Sequence, residues 1–148
     1  MKLSEGSAWS RAQVESFLRT YRAPLRVAAN SAAGFPTLCS LWFRYEQGAI
    51  QCATHESARI ARLLAEDARC AFELAPNEPP YRGVRGRGRA TVSPDGAPEL
   101  LGDLIDRYLE TRDSELARWL LGRSADEVAI TIEIDRVSSW DYTDRMSG

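Results

Sequence analysis

The stretch Thr37-Leu38-Cys39-Ser40-Leu41-Trp42-Phe43-Arg44-Tyr45, followed by Glu46-Gln47-Gly48 and Ala49-Ile50-Gln51-Cys52-Ala53-Thr54, decides the fold. Two runs of apolar, aromatic and β-branched residues flank a short turn containing glycine, the pattern of a β-hairpin. Upstream, Leu25 to Ala29 reads as a short strand closed by the turn Ser31-Ala32-Ala33-Gly34. Downstream, Arg69 to Ala75 and Tyr81 to Val92 read as strands. Pro76-Asn77-Glu78-Pro79-Pro80 between them is a loop, because three prolines in five residues cannot serve a ladder. Val128, Ile130, Ile132 and Ile134 alternate with Ala129, Thr131 and Glu133, and Val137 to Tyr142 reads as a last, separate strand.

Helical signals lie between and before these strands. Ser10 and Gln13 form a capping box ahead of Val14, Phe17, Leu18 and Tyr21, and Pro24 ends that helix. A second helix runs from about Ser57 to Glu66, with Ile60, Leu63 and Leu64 on one face. A third begins at Pro98 and carries Leu100, Leu101, Leu104, Ile105 and Tyr108; Ser114 caps a fourth, closed by Gly122. Within the fourth, Trp119-Leu120-Leu121 suits a core or an interface. Residues 1–148 thus read as a single α+β, mostly antiparallel β domain, with an N-terminal helix in 1–24 and inserted helices in 98–122. Six or seven short strands in so small a chain favour a barrel, which removes exposed sheet edges.

Composition narrows the function classes. Nineteen basic residues against 21 acidic give a net charge of -2, which weighs against nucleic acid as a partner. No apolar run approaches the roughly 18 residues of a membrane span. The start MKLSEGSAWSRAQ has no apolar core of a secretion signal, so a cytoplasmic protein with no membrane partner is expected. Cys39, Cys52 and Cys70 are odd in number and form no CxxC pair, and His55 is the only histidine. A disulfide framework or a metal site is therefore not expected.

Three stretches can carry chemistry. At Cys52-Ala53-Thr54-His55-Glu56-Ser57-Ala58-Arg59 a strand gives way to a helix, whose start attracts anions. Thr54 and Ser57 add hydroxyls and Arg59 a guanidinium, together a phosphate cradle. The alternative is that Ser57 is only a helix cap and Arg59 a solvated charge. In Tyr81-Arg82-Gly83-Val84-Arg85-Gly86-Arg87-Gly88-Arg89 the glycines run G-x-x-G-x-G with no helix after them, so this is not a dinucleotide-binding loop. Arg85, Arg87 and Arg89 share one strand face, open to acidic groups, a phosphorylated ligand, another subunit or solvent. Ser40-Leu41-Trp42-Phe43 and Trp140-Asp141-Tyr142 supply aromatics for the core or for stacking on a planar ring. His55 has no nucleophile or orienting carboxylate near it in sequence, and no catalytic triad is apparent.

In order along the chain stand Gly34-Phe35-Pro36, Ser40-Leu41-Trp42-Phe43, Thr54 with Ser57-Ala58-Arg59-Ile60, Arg69-Cys70-Ala71-Phe72, Pro80-Tyr81-Arg82-Gly83-Val84 and Val137-Ser138-Ser139-Trp140-Asp141. This ordered set, from Leu25 to Tyr142, resembles the pyridoxamine 5'-phosphate oxidase-like split barrels. The resemblance implies a six-stranded split β-barrel with flanking helices, working as a homodimer with cofactor sites at the subunit interface. It implies FMN as cofactor, with the deazaflavin coenzyme or haem as alternatives. Carried over by position, Thr54, Ser57 and Arg59 would meet the cofactor phosphate. Cys39, Ser40 and Trp42 would border the ring, and Arg85 and Arg87 would approach from the partner subunit. The substrate-holding Arg-x-His element of authentic pyridoxamine phosphate oxidases has no counterpart in Trp140-Asp141-Tyr142-Thr143. The implied function is a flavin- or deazaflavin-dependent oxidoreductase acting on another small molecule; the alternative is a flavin- or haem-binding carrier or sensor without turnover.

Overall fold

Trp42 is the point at which the chain leaves one edge of a sheet and enters the other. The computed structural model describes residues 1–147. Its strands are β1 (Lys2–Leu3), β2 (Leu25–Asn30), β3 (Pro36–Leu41), β4 (Phe43–Glu46), β5 (Ala49–His55), β6 (Arg69–Leu74), β7 (Arg82–Ser93) and β8 (Glu127–Asp141). They hydrogen-bond in the order β3-β2-β6-β7-β8-β5-β4, and β1 adds to β8 as the one parallel pair. The two edge strands β3 and β4 are consecutive in the chain with only Trp42 between them. Neighbouring Cα atoms are about 3.8 Å apart, so the sheet has to curl until its edges nearly meet. The antiparallel α+β barrel is therefore present, with eight strands where six were expected.

Two strand boundaries differ from the sequence reading. Thr37 to Tyr45 is not one strand: β3 pairs with β2 from Leu25↔Leu41 to Asn30↔Pro36, while β4 pairs with β5. At the break the Trp42 ring stacks on Tyr108, with centroids 5.1 Å apart and planes 4° from parallel. The Phe43 N–H donates to the Tyr108 hydroxyl (3.3 Å), which itself donates to the Ala23 carbonyl (2.9 Å). The hairpin turn is Gln47-Gly48, both with positive φ (52° and 81°), as a two-residue type I′ connection requires. Conversely, Val128–Ile134 and Val137–Tyr142 are not two strands: all of the first and the second as far as Asp141 belong to the 15-residue β8. Register slips there, from Arg87↔Arg136 to Gly88↔Ile134, leaving Asp135 as a bulge. That extra residue shifts the alternation, so Ile134 and Val137 both face inward at a spacing no regular strand allows.

The barrel interior is filled by side chains such as Leu25, Val27, Phe43, Ile50, Phe72, Val84, Ile130 and Ile132. The glycines of β7 are required by this packing. A Cβ on Gly86 would stand 2.6 Å from the Arg136 carbonyl oxygen and from Phe72 Cζ, and one on Gly88 would press on the Glu133 backbone. Helix α1 (Arg11–Thr20) starts at the expected capping box and buries Val14 and Leu18 against the barrel. Helix α2 (Arg59–Glu66) does the same with Ile60 and Leu64. Helices α3 (Ala97–Leu109) and α4 (Glu115–Gly122) pack on the outside, where Leu100 and Leu104 meet Ala129, Ala53 and Trp42. Cys39, Cys52 and Cys70 are free thiols, and burial pushes Cys70 up to about 11. No helix among the described residues is long and apolar enough to cross a membrane.

Candidate functional site

Between the outer barrel wall and helices α3 and α4 lies a cleft of about 340 Å³. Its barrel side is made by Ser40 and Leu41 at the end of β3, by Trp42, and by Ala53, Thr54 and His55 at the end of β5. Its helix side is made by Leu101, Leu116, Trp119, Leu120 and Arg123, with Glu127 at the start of β8. Trp42 presents one face to Tyr108. Trp119 is 58% exposed and carries the Arg123 guanidinium 4.6 Å above its ring. The cleft thus has aromatic walls and a polar end.

At the β5 terminus the Ser57 N–H donates to His55 Nδ1 (3.1 Å), and the Ser57 hydroxyl lies 2.7 Å from the same nitrogen. An Nδ1 that accepts from a backbone amide carries no proton. The neutral imidazole therefore has its proton on Nε2, free to donate. This turn also corrects the expected cap: Ser57 does not cap α2. The N-cap is Ala58, and no side chain caps this helix, because the Ser57 hydroxyl is committed to His55. Arg59 is the exposed first residue of α2, and among the described residues it forms no ion pair. Its guanidinium and the uncapped amides make the start of α2 electropositive, five residues along the chain from Thr54.

Glu127 is the most unusual group of the cleft. It lies across the ladder from His55 and is only 4% exposed. Burial raises its carboxyl above the ordinary glutamate range, while Arg123 and His55 pull it back. The nearest cation, Arg123 Nε, is 3.6 Å from Oε1 and is itself buried without a hydrogen-bond partner.

The expected site residues fall into three places. Ser40, Trp42 and Thr54 line the cleft, and Ser57 and Arg59 follow directly from it. Cys39 turns the other way, packing half-buried against the barrel core, where burial raises its thiol. Arg85 and Arg87 lie outside the cleft. Arg85 sits 4.6 Å over the Trp140 ring and lines a groove of about 360 Å³ with Arg26, Leu38, Phe72 and Glu73. Arg87 pairs with the bulged Asp135 at 3.1 Å. Sequence reasoning did not find Glu127, Arg123 or Leu116, and left Trp119 open between core and interface. Only the local apolar run around Trp119 carried a signal. Among the described residues no cluster of histidine, cysteine and carboxylate side chains is suited to a metal ion.

At the level of sequence, no family model and no curated protein matches the chain. Solved structures do match. A conserved hypothetical protein from Mycobacterium tuberculosis has a TM-score of 0.77 at 22% identity, covering 96% of this chain and 91% of its own. An F420 reductase has a TM-score of 0.69 at 22% identity, covering 84% of this chain and 94% of its own. The chain has the split-barrel fold, as the resemblance to pyridoxamine 5'-phosphate oxidase-like proteins implied. An FAD-binding protein from Mesorhizobium loti shares it, with a TM-score of 0.63 at 20% identity over 88% of this chain and 94% of its own.

Proposed function

We propose that this split barrel is a flavin- or deazaflavin-dependent oxidoreductase acting on a small molecule. The single observation that carries this reading is the uncapped start of α2 with the unpaired Arg59, beside a cleft walled by Trp42 and Trp119. Anionic oxygens suit the amides and guanidinium at one end, and a planar ring suits the aromatic walls. FMN and the deazaflavin coenzyme both combine a phosphate with a planar ring, so the residues present fit either. A bound cofactor of this class supplies hydride chemistry, which explains how a cleft without a catalytic triad serves an oxidoreductase. The names of an F420 reductase and an FAD-binding protein among the structural matches support the same class.

In this proposal Thr54 and Arg59 hold the phosphate together with Ser57, whose hydroxyl would turn to it from His55 Nδ1, while Ser40 and Trp42 border the ring. Residues 1–148 act as one domain, in the cytoplasm, as a homodimer. Support for the dimer comes from the β2–β3–β6–β7 face, where Leu38 is 68% exposed in the groove that Arg85 lines, and from Phe35, 77% exposed just before β3. A second copy would cover these side chains and bring Arg85 and Arg87 toward a neighbouring cofactor. Cys39 has the weakest support as a ring contact, because its thiol points to the core.

Titration of the purified protein with FMN and with the deazaflavin coenzyme, followed by ring fluorescence, tests the assignment. Arg59→Glu should weaken binding of the preferred cofactor at least about tenfold with the melting temperature unchanged. A second reading is haem binding through His55, the only histidine of the sequence, which would have to give up its Nε2 proton, and with it the Ser57 amide bond to Nδ1, to serve as an axial ligand. A Soret band that appears with haem and disappears in His55→Ala would favour that carrier role.

A further inference from the structure

We infer that Tyr108 is a positioning residue of the cleft, which holds Trp42 as the barrel-side wall against which a planar ring lies. Trp42 stands alone between two strands: pairing of β3 with β2 ends at Leu41, and pairing of β4 with β5 begins at Phe43. Strand pairing therefore leaves the direction of its indole open, and a tryptophan has two side-chain torsions to settle. The indole nevertheless lines the cleft, with Leu41 from the barrel and Leu101 from α3.

Tyr108 settles that direction in two ways. Its ring lies parallel to the indole, with centroids 5.1 Å apart and planes 4° from parallel. Its hydroxyl accepts from the N–H of Phe43, the next residue, at 3.3 Å, and donates to the Ala23 carbonyl at 2.9 Å. The ring thus fixes the plane of the indole, and the hydroxyl fixes the backbone from which the indole projects. Burial raises the phenol above the ordinary tyrosine range, so it stays protonated and keeps donating to Ala23 at neutral pH. Tyr108 is held in turn by its own helix: the adjacent Arg107 donates to the Arg19 and Tyr21 carbonyls at the end of α1, at 2.8 and 3.0 Å. Because α3 also carries Leu101, the stack ties the barrel wall of the cleft to its helix wall. A wall ordered before the ligand arrives spares the ordering entropy of that side chain, a factor of about two to ten in affinity.

This inference rests on the flavin reading for the ring that Trp42 receives, and the two are tested by different signals. Protein carrying 5-fluorotryptophan gives one fluorine resonance per tryptophan, and Trp42→Phe identifies that of Trp42. In the cofactor-free protein, Tyr108→Leu should shift or broaden the Trp42 resonance while those of Trp9, Trp119 and Trp140 stay in place. Tyr108→Phe, which keeps the ring and loses the hydroxyl, should move it less. Fluorescence titration with FMN and with the deazaflavin coenzyme should then show affinity lowered about tenfold in Tyr108→Leu and about threefold in Tyr108→Phe. The phenylalanine variant carries the test if the leucine variant does not fold. An unmoved Trp42 resonance overturns the inference, as does equal displacement of all four tryptophans. A displaced resonance with unchanged affinity overturns it too. Binding of neither cofactor by wild type overturns the flavin reading instead, and the fluorine signal alone then decides the placement of Trp42.

Discussion

Strand β7 and the cleft beside α4 are built from similar residues, arginines among aromatics and small side chains, and they end in opposite states. On β7 the glycines and two of the arginines are accounted for by their neighbours. Gly83, Gly86 and Gly88 leave room for the backbones of β6 and β8, Arg87 pairs with Asp135, and Arg85 covers Trp140. Around the cleft the corresponding groups are less fully met: Glu127 and Arg123 form a loose ion pair at 3.6 Å, Arg123 Nε has no hydrogen-bond acceptor, and Arg59, which follows the cleft in the chain, forms no ion pair among the described residues. A fold satisfies the polar groups it buries for its own sake. Polar groups less fully met around one concavity are what the proposed ligand would meet.

The contrast can be broken at its structural pole first. Gly88→Ala should destabilise the protein by about 3 kcal/mol in urea unfolding, because the added methyl meets the Glu133 backbone, which cannot turn aside. Gly122→Ala, with nothing within 4 Å, should stay within about 0.5 kcal/mol of wild type. If both cost the same, close approach is not what selects glycine on β7.

The two tryptophans of the cleft sharpen the comparison at intermediate size. Trp42→Ala removes the Tyr108 stack and core contacts and should cost about 2 kcal/mol or more of stability. Trp119→Ala removes a largely exposed ring and should leave stability nearly unchanged while lowering flavin affinity.

Glu127 gives a smaller effect with a definite pH sign. Its carboxyl titrates higher in the fold than in the unfolded chain, so its contribution is most favourable in acid, below the unfolded value of about 4.3. That contribution is lost as pH rises through the higher folded value. Glu127→Gln, which cannot ionise, should therefore raise the melting temperature relative to wild type at pH 7 more than at pH 4. Equal shifts at the two pH values would show that ionisation of this group carries no cost. The smallest effect belongs to Arg87→Ala, whose exposed ion pair should be worth no more than about 0.5 kcal/mol in the same unfolding measurement.

Much of the fold was legible because it is written in local periodicity and turn chemistry. Ser10 and Gln13 announce α1, Gln47-Gly48 announces the hairpin, and the alternation from Val128 to Ile134 announces the core face of β8. The break at Trp42 was hidden, because it depends on Tyr108, far along the chain, taking the Phe43 amide. The continuity of β8 was hidden by the Asp135 bulge, which imitates a strand end by shifting the alternation. Within the candidate site, Thr54, Ser57 and Arg59 stand together because they are close in sequence. Glu127 reached the cleft only through pairing of β8 with β5, and a single glutamate at a strand start has no signature that marks it as buried. The hydroxyl of Ser57 was misassigned for a related reason: its partner is the His55 ring two residues back, not the helix it precedes.

The central proposal is that the start of α2 and the aromatic cleft beside it take a phosphate-bearing flavin or deazaflavin. The most direct measurement is a fluorescence titration of wild type and Arg59→Glu with FMN and with the deazaflavin coenzyme, in parallel. The account predicts saturable binding of at least one of them by wild type and an affinity lower by about tenfold or more in the variant. Binding of neither by the folded protein, or equal binding by both proteins, would contradict it.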